Sequence, residues 1–209
     1  MSFIRGRGRN KFVTAGVALL LLLIKFSLLN TAYEEDVMYT PGPIELQNMI
    51  SYDEFISQLK NESKALRRVI MLPNWIPPGL KLIGVWGRMI IYSYGPVSTL
   101  DDADLTISVR PMDAVQLKNI RTLGELYGDF YSSLERDAEI LRDVGRNVTV
   151  SYINGLYVFV IWDYPEGYRA DIKIYDLQNK ITYSIVVMDT VDFSYSDLIR
   201  IIKSFSPIE

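Results

Sequence analysis

Histidine and cysteine are both absent from the 209 residues, and these two absences exclude several classes of chemistry. Without histidine, Ser-His-Asp and Cys-His triads and histidine-ligated zinc are excluded in their usual forms. Without cysteine, the chain has no thiolate nucleophile, no disulfide, no iron–sulfur ligand and no cysteine-linked lipid. Nor does a glycine-rich phosphate loop follow any predicted strand. We therefore assign no catalytic residue, expect no cofactor and predict that the protein is not an enzyme.

Acidic residues are absent from the first thirty positions, which carry Arg5, Arg7, Arg9, Lys11 and Lys25. Removing these five from the 22 basic residues leaves 17 against 25 acidic ones, a net charge of −8 for the rest of the chain. Nucleic-acid binding needs a basic footprint, and an acidic remainder does not supply one. We therefore predict no nucleic-acid partner.

An apolar segment follows the basic N-terminus and predicts a transmembrane signal anchor over residues 12–30. A helix over residues 12–29 would span about 27 Å, close to the thickness of the hydrocarbon core. The basic flank predicts an N-terminus inside and the remainder outside, in a single-pass protein of the cell membrane. Residues 1–11 are then a short cytoplasmic tail, and the lipid bilayer is a partner through residues 12–30. The anchor positions are Phe12, Leu19, Leu20, Leu21, Leu22, Leu23, Ile24 and Leu29.

The alternative to a retained anchor is a signal peptide that is cleaved, which would release a secreted domain. The run from Phe12 to Ile24 also has the length of a secretory apolar region. The best cleavage position follows Ala32, but it puts Asn30 where a small residue is needed. We therefore favour the anchor and keep secretion as the alternative.

Residues 31–43 are predicted to be a linker, because Pro41 and Pro43 restrict their predecessors and cannot continue a helix. Residues 44–209 are predicted to form an extracytoplasmic α+β domain. Its largely antiparallel sheet should have about seven strands, with one long helix and two shorter helices packed on it, preceded by the transmembrane helix.

Three sequence signals of helix N-termini predict the helices of this domain. Ser51–Glu54 and Ser194–Asp197 have the capping-box spacing of the first and last helices. Thr122–Glu125 has the same spacing, and the periodic apolar residues after it predict the long helix, ending near Gly145. The last helix is expected to bury Phe205.

Short sequence patterns also predict the strands of this domain. Gly87-Arg88 and Asn154-Gly155 each lie between two apolar segments and predict tight hairpins. Residues 156–162 are apolar on both faces, which predicts a central strand covered on each side. Residues 72–79 are rich in proline and are predicted to be irregular.

Three aspartates, Asp101, Asp102 and Asp104, form an acidic cluster that is a weak candidate for a hard-metal site. Their spacing is not that of an EF-hand loop. Because aspartate is common in turns, we favour a solvated turn before the following strand and assign no metal site.

Aromatic residues are the second group of candidates. Trp75, Trp86, Tyr92 and Tyr94 are candidates for contact with a ligand, since exposed rings stack on sugars and peptides. The competing interpretation is that they build the core and the half-buried sheet faces, where tyrosine and tryptophan are favoured.

The segment from Leu72 to Leu80 precedes two predicted strands, the second of which ends Tyr92-Ser-Tyr-Gly95. Together with the strand Asn154–Trp162 and the closing helix Asp197–Phe205, this order resembles an uncharacterised domain, of unknown function, found on the outer side of single-span, anti-sigma-factor-like membrane proteins. The resemblance covers residues 51–206. It implies an extracytoplasmic sensing or interaction module and supplies no catalytic residues. Only eleven residues precede the predicted anchor, so direct anti-sigma activity is not expected.

The function predicted from the sequence is a membrane-anchored, non-catalytic binding or sensing module, with an envelope protein or a glycan as its partner. Two alternatives stay open. One is a small carbohydrate-active enzyme that uses carboxylates, which needs two carboxyl groups at a defined separation in a cleft. The other is a carrier that holds an apolar ligand in a cavity under the sheet.

Overall fold

Seven antiparallel strands form the central sheet in the computed structural model, which describes residues 48–164 and 167–208. The described strands are, in chain order, β1 (Met71–Pro73), β2 (Lys81–Trp86), β3 (Met89–Ser93), β4 (Leu105–Pro111), β5 (Asn147–Ile153), β6 (Leu156–Tyr164), β7 (Tyr168–Asp176), β8 (Ile181–Met188) and β9 (Phe205–Pro207). Strands pair in the order β2-β3-β4-β8-β7-β6-β5, and β1 pairs separately with β9. The predicted α+β class and the predicted number of sheet strands are confirmed.

The same residues form four α-helices. These are α1 (Tyr52–Leu66), α2 (Ala114–Tyr127), α3 (Phe130–Asp143) and α4 (Tyr195–Lys203), and a 3-10 helix covers Leu100–Asp102. The Ser51 side chain caps α1 by accepting a hydrogen bond from the Glu54 amide at 3.2 Å. Ser194 and Asp197 form the predicted capping box of α4. Both helix starts are confirmed.

Both predicted hairpins form as their turn residues require. Trp86 pairs with Met89 across Gly87-Arg88. Ile153 pairs with Leu156, and the two residues between them, Asn154 and Gly155, have φ angles of 53° and 83°. Two consecutive positive φ angles are typical of the type I′ turn, whose twist matches that of the flanking strands.

The first face of the sheet carries most of the core, because strand alternation puts aliphatic residues there opposite the buried sides of α1 and α4. This arrangement brings the first and last helices of the domain onto one layer. Its buried members include Phe55, Leu59, Ile107, Ile172, Ile185, Leu198, Ile201 and Ile202.

On the second face, two separate apolar clusters pack against the two sides of the sheet. On one side α3 lies over β5, β6 and β7, where Phe130 and Leu134 pack with Val148 and Val150. On the other side the segment Leu100–Ala103 packs over β2 and β3. Since β6 is packed on both faces, the prediction for residues 156–162 is confirmed.

The single long helix predicted after Thr122 is wrong, because the chain forms two helices that meet at Gly128. Gly128 has a φ of 95°, a conformation that residues with a Cβ rarely adopt. The Asp129 side chain then accepts a hydrogen bond from the Ser132 amide at 2.7 Å and starts α3 as its N-cap.

The predicted capping box at Thr122–Glu125 is also wrong, since both residues lie inside α2. The helix begins after Asp113, whose side chain accepts a hydrogen bond from the Gln116 amide at 2.7 Å. The Gln116 side chain accepts one in return from the Asp113 amide at 3.1 Å. An aspartate–glutamine pair is as good a capping box as the serine or threonine pattern, and its Asp113 lies nine residues before Thr122.

Two glycines near this junction should respond to alanine with opposite signs. Gly128→Ala should destabilise the protein by about 1–2 kcal/mol, because a Cβ opposes the positive φ. Gly124→Ala, inside α2, should be neutral or stabilise by up to about 1 kcal/mol, because alanine favours the helix. A Cβ at Gly124 would have its nearest contact at 3.7 Å, which is ordinary packing. Urea denaturation of both variants measures the difference, and equal effects would contradict the helix break.

The short two-stranded ribbon of β1 and β9 contradicts two further predictions, one for residues 72–79 and one for Phe205. Of the residues predicted to be irregular, 72 and 73 belong to β1, which pairs with β9 from Met71 opposite Pro207 to Pro73 opposite Phe205. Phe205 is not in the last helix, which ends at Lys203. Its ring instead packs edge-on against Tyr183 at 5.0 Å, so the strand after α4 closes the first-face core.

The predicted tail (1–11), anchor (12–30) and linker (31–43), together with residues 44–47 of the predicted domain, lie outside the described residues. In the part of the chain that the structure describes, no helix is both long and apolar enough to cross a membrane.

Candidate functional site

The acidic cluster lies at the upper end of the sheet, where β4 begins and β8 ends. Asp104 is 9% exposed, and its carboxylate accepts hydrogen bonds from the Ser93 hydroxyl at 2.5 Å, the Tyr94 amide at 2.8 Å and the Thr190 hydroxyl. Burial alone would raise the pKa of Asp104, but the hydrogen bonds from Ser93, Thr190 and Tyr94 together lower it below its ordinary value. This carboxylate ties three segments together.

Asp102 has a separate structural role at the start of the 3-10 helix. Its carboxylate accepts hydrogen bonds from the amides and hydroxyls of Ser98 and Thr99 at 2.8–3.2 Å. These bonds, led by that from the Ser98 hydroxyl, lower the pKa of Asp102. Asp101 is exposed beside it. Among the described residues, no three carboxylates converge as a metal-ligand group, and Asp102 and Asp104 accept hydrogen bonds from protein donors instead.

The structure does not bring the four candidate aromatics together. Trp75 packs against the first-face core, and the Arg200 guanidinium lies 5.0 Å from the centre of its ring. Trp86 packs on the second face, whereas Tyr92 packs on the first. Burial, with a smaller contribution from a neighbouring tyrosine, raises the pKa of Tyr92 to about 12. Tyr94 is 44% exposed, so of the four only its ring is largely open to solvent.

The middle of the second face lies between the two covered sides, and we call its polar surface the sheet trough. Three neighbouring strands, β4, β8 and β7, form its floor. The floor residues are Thr106, Ser108, Asp171, Lys173, Ser184 and Val186. In β4, Thr106 and Ser108 alternate with the apolar Leu105, Ile107 and Val109, and this alternation puts both hydroxyl residues on the same face.

Two rows of cross-strand neighbours run across the sheet trough. In the first row Ser108 is opposite Ser184, which is opposite Lys173, which is opposite Phe159. The Lys173 ammonium donates a hydrogen bond to the Ser184 hydroxyl at 2.6 Å. In the second row the Asp171 carboxylate lies 3.6 Å from the same ammonium. The trough therefore presents a cation, an anion and hydroxyls side by side.

The contact between Ser184 and Lys173 raises the question of nucleophilic catalysis. A lysine that activates a serine must accept its proton, so its amine has to be neutral. Lys173 instead donates a hydrogen bond to Ser184 and lies within ion-pair distance of Asp171. The arrangement suits hydrogen bonding and charge recognition better than proton abstraction.

Two side chains of the sheet trough are partly accessible, at 22% for Lys173 and 17% for Asp171, whereas Ser108 is buried. Neither residue was a candidate in the sequence, nor was Ser184. Alternation in residues 170–175 places Asp171 and Lys173 on one wet face, and this signal could have selected them. Their approach to Ser184 depends on β8 lying between β4 and β7, and no local pattern reveals that strand order.

Two depressions lie elsewhere on the described surface. An open one of about 340 Å³ is lined by Tyr127, Tyr131, Ser132, Glu135, Arg136 and Glu139 on the outer side of α2 and α3. The other is an apolar crease between Leu66, Pro111 and Ile181, at the end of the sheet opposite the acidic cluster, and it is too narrow for a water molecule. Neither has the form of an enclosed ligand site.

Comparison of the chain with protein-family models, with curated proteins and with solved structures finds no match in any of the three. The resemblance to the outer domain of anti-sigma-factor-like proteins therefore stays a prediction.

Proposed function

We propose that this protein is a membrane-anchored, extracytoplasmic binding module without catalytic activity, and that its ligand contacts the sheet trough. The observation that carries the proposal is the cluster of Lys173, Asp171 and Ser184, whose polar groups lie side by side on the second face of the sheet. The membrane location rests on the sequence of residues 12–30.

The position of the trough favours recognition. Its side chains project from three central strands whose backbone is held by neighbours on both sides, so a ligand would order few groups on binding. Phe159 adds an apolar neighbour at the end of the first row. Hydroxyls, one ion pair and an aromatic ring suit a polar polymer such as a glycan or an extended peptide of the envelope.

Removing the Lys173 charge or the Ser184 hydroxyl that it contacts should weaken ligand binding by about tenfold or more, because a hydrogen bond to a charged group contributes about 1.5–3 kcal/mol. The test is calorimetric titration of the full chain, in lipid nanodiscs, with soluble glycan and peptide fragments prepared from cell envelopes. Lys173→Met and Ser184→Ala should each lower the affinity for the fragment that binds the unaltered protein.

The matched control is Lys118→Met, which removes the same charge from an exposed position of α2. Circular dichroism would verify that each variant folds. If the two trough variants bind as tightly as the control, or if no fragment binds the unaltered protein, the proposed site is wrong.

The two other functions that the sequence leaves open have no specific structural support. For a carbohydrate-active enzyme, Asp102 and Asp104 would be natural carboxylates, but both accept hydrogen bonds that shape their own loops. For an apolar carrier, the space beneath α3 is filled by Phe130, whose ring contacts Tyr157 and Tyr175 edge-on at 5.2 Å.

A further inference from the structure

Basic side chains gather at the lower end of the sheet, where β4 ends, β8 begins and α1 terminates. The Lys180 carbonyl holds this region together, because it accepts hydrogen bonds from the Met112 amide at 2.8 Å and from Arg68 Nη1 at 3.2 Å. The Val69 amide donates to the Asn179 side chain at 3.2 Å. We call this surface the lower-end patch; its basic members are Lys64, Arg67, Arg68, Arg110 and Lys180.

The acidic side chains of this region are already engaged. Glu62 forms an ion pair with Arg88 at 2.9 Å. Asp176 is 2% exposed and accepts two hydrogen bonds from Asn179. Asp113 caps α2. The patch is therefore positive, although the chain after the predicted anchor is acidic as a whole.

The opposite end of the domain has the opposite sign. Asp101, Asp163, Asp189 and Asp192 are exposed at the upper end of the sheet. Arg169 offsets one of them, through its ion pair with Asp163 at 2.9 Å. This separation of charge makes the two ends electrostatically distinct, which orients a domain near a charged surface.

Two exposed aliphatic side chains distinguish the lower-end patch from a solvated basic surface. Leu66 is 43% exposed and Val69 is 46% exposed, and both lie among the cations. Cations at the end of α1 also complement its dipole, but that effect explains neither Lys180, on another segment, nor the exposed aliphatic residues. Basic and apolar side chains together are typical of surfaces that lie at the interface of an anionic bilayer.

We propose that the lower-end patch contacts the anionic lipid headgroups of the membrane, with Leu66 and Val69 entering the interface between them. This goes beyond the proposed function, because the patch and the sheet trough are separate surfaces. The predicted anchor and linker permit it: residues 31–47 could extend to at most about 60 Å, whereas α1 is about 22 Å long.

The absence of cysteine provides a sharp test, since one introduced cysteine is the single labelling site of the chain. Full-length Val69→Cys, carrying a fluorophore, would be reconstituted in vesicles that contain nitroxide-labelled headgroups. The vesicles are phosphatidylcholine alone or a mixture with phosphatidylglycerol. We expect strong quenching only in the anionic vesicles, decreasing as salt is added. The matched control is Val144→Cys, at an exposed position after α3, which should be quenched weakly in both.

A second test removes positive charges from the labelled Val69→Cys protein and measures the same quenching. Combined Lys64→Gln, Arg67→Gln and Lys180→Gln should lower the ratio of contacting to free domain by about a hundredfold, at about fivefold for each cation near the surface. Quenching at position 69 that equals that at position 144, or that is the same in both vesicle types, would overturn the proposal. Loss of quenching on addition of millimolar soluble phosphate would also overturn it, since that result indicates a site for a free anion.

Discussion

Replacing Asp104 by alanine should lower the free energy of unfolding by about 2–4 kcal/mol, one of the two largest effects that we expect from a single polar or aromatic substitution. The variant leaves the Ser93 hydroxyl and the Tyr94 amide without their charged acceptor at a buried position. It also releases Thr190, so the start of β4 loses its connection to the loop after β8. Urea denaturation of the two proteins measures the difference.

The matched control is Asp101→Ala, three residues earlier in the same acidic cluster. Asp101 is exposed, and its removal should change stability by less than about 0.5 kcal/mol. Millimolar calcium should leave the melting temperature of the unaltered protein unchanged. If calcium raises it, and Asp104→Ala abolishes that increase, the cluster is a metal site after all.

The contribution of Asp104 to the free energy of unfolding should decrease as the pH falls. Because its folded pKa is lowered, its stabilisation is fully present above the ordinary carboxyl pKa of about 4. It is lost as the pH falls through the lower folded value. Stability should therefore fall less steeply below about pH 4 in Asp104→Ala than in the unaltered protein. Acid titrations followed by circular dichroism would check this, and identical acid transitions would show that Asp104 is not held in its charged form.

The sequence predicts those parts of the fold that depend on near neighbours. The two hairpins follow from Gly87-Arg88 and from Asn154-Gly155, because the backbone conformation of a turn is set by the residues in it. The starts of α1 and α4 follow from Ser51 and Ser194 in the same way. Each of these signals operates within four residues, so no tertiary contact competes with it.

The helix break was missed because two local signals compete there. Apolar residues continue at helical spacing from Leu123 to Leu134, which favours one helix. Gly128-Asp129 favours an end followed by a new N-cap, and the structure follows this signal. The tertiary contacts of Phe130 with Tyr157 and Tyr175 fix the orientation of α3, and these contacts cannot be read from periodicity.

The candidate site was missed for a different reason. Lys173 and Ser184 are eleven residues apart, and they meet only because β7 and β8 pair in one particular register. Ser108 joins them from a strand far earlier in the chain. Alternation predicts which face each side chain occupies, but strand order decides which of them are neighbours. Composition drew attention to the acidic cluster and the aromatics instead.

Replacing Phe130 by alanine should destabilise the protein by about 3 kcal/mol, the second large effect that we expect. Phe130 is 8% exposed, and its ring lies edge-on to both Tyr157 and Tyr175 with centroids 5.2 Å away. The substitution removes both aromatic contacts and leaves a cavity beneath α3. The matched control is Leu126→Ala on α2, which is 68% exposed and should cost less than about 0.5 kcal/mol. Thermal and urea unfolding would compare the three proteins.

This substitution also tests whether the sheet and α3 could hold an apolar ligand. A tightly filled interface offers no room for one, whereas an engineered apolar cavity stays dry and takes up small hydrocarbons. The unaltered protein should therefore not be stabilised by benzene or by a fatty acid, and Phe130→Ala should regain part of its lost stability in benzene. Stabilisation of the unaltered protein by a fatty acid, with little cost for Phe130→Ala, would instead favour a carrier. In that case α3 would have to move away from β6 to admit the ligand, because the Phe130 ring and its contacts with Tyr157 and Tyr175 fill the space beneath the helix.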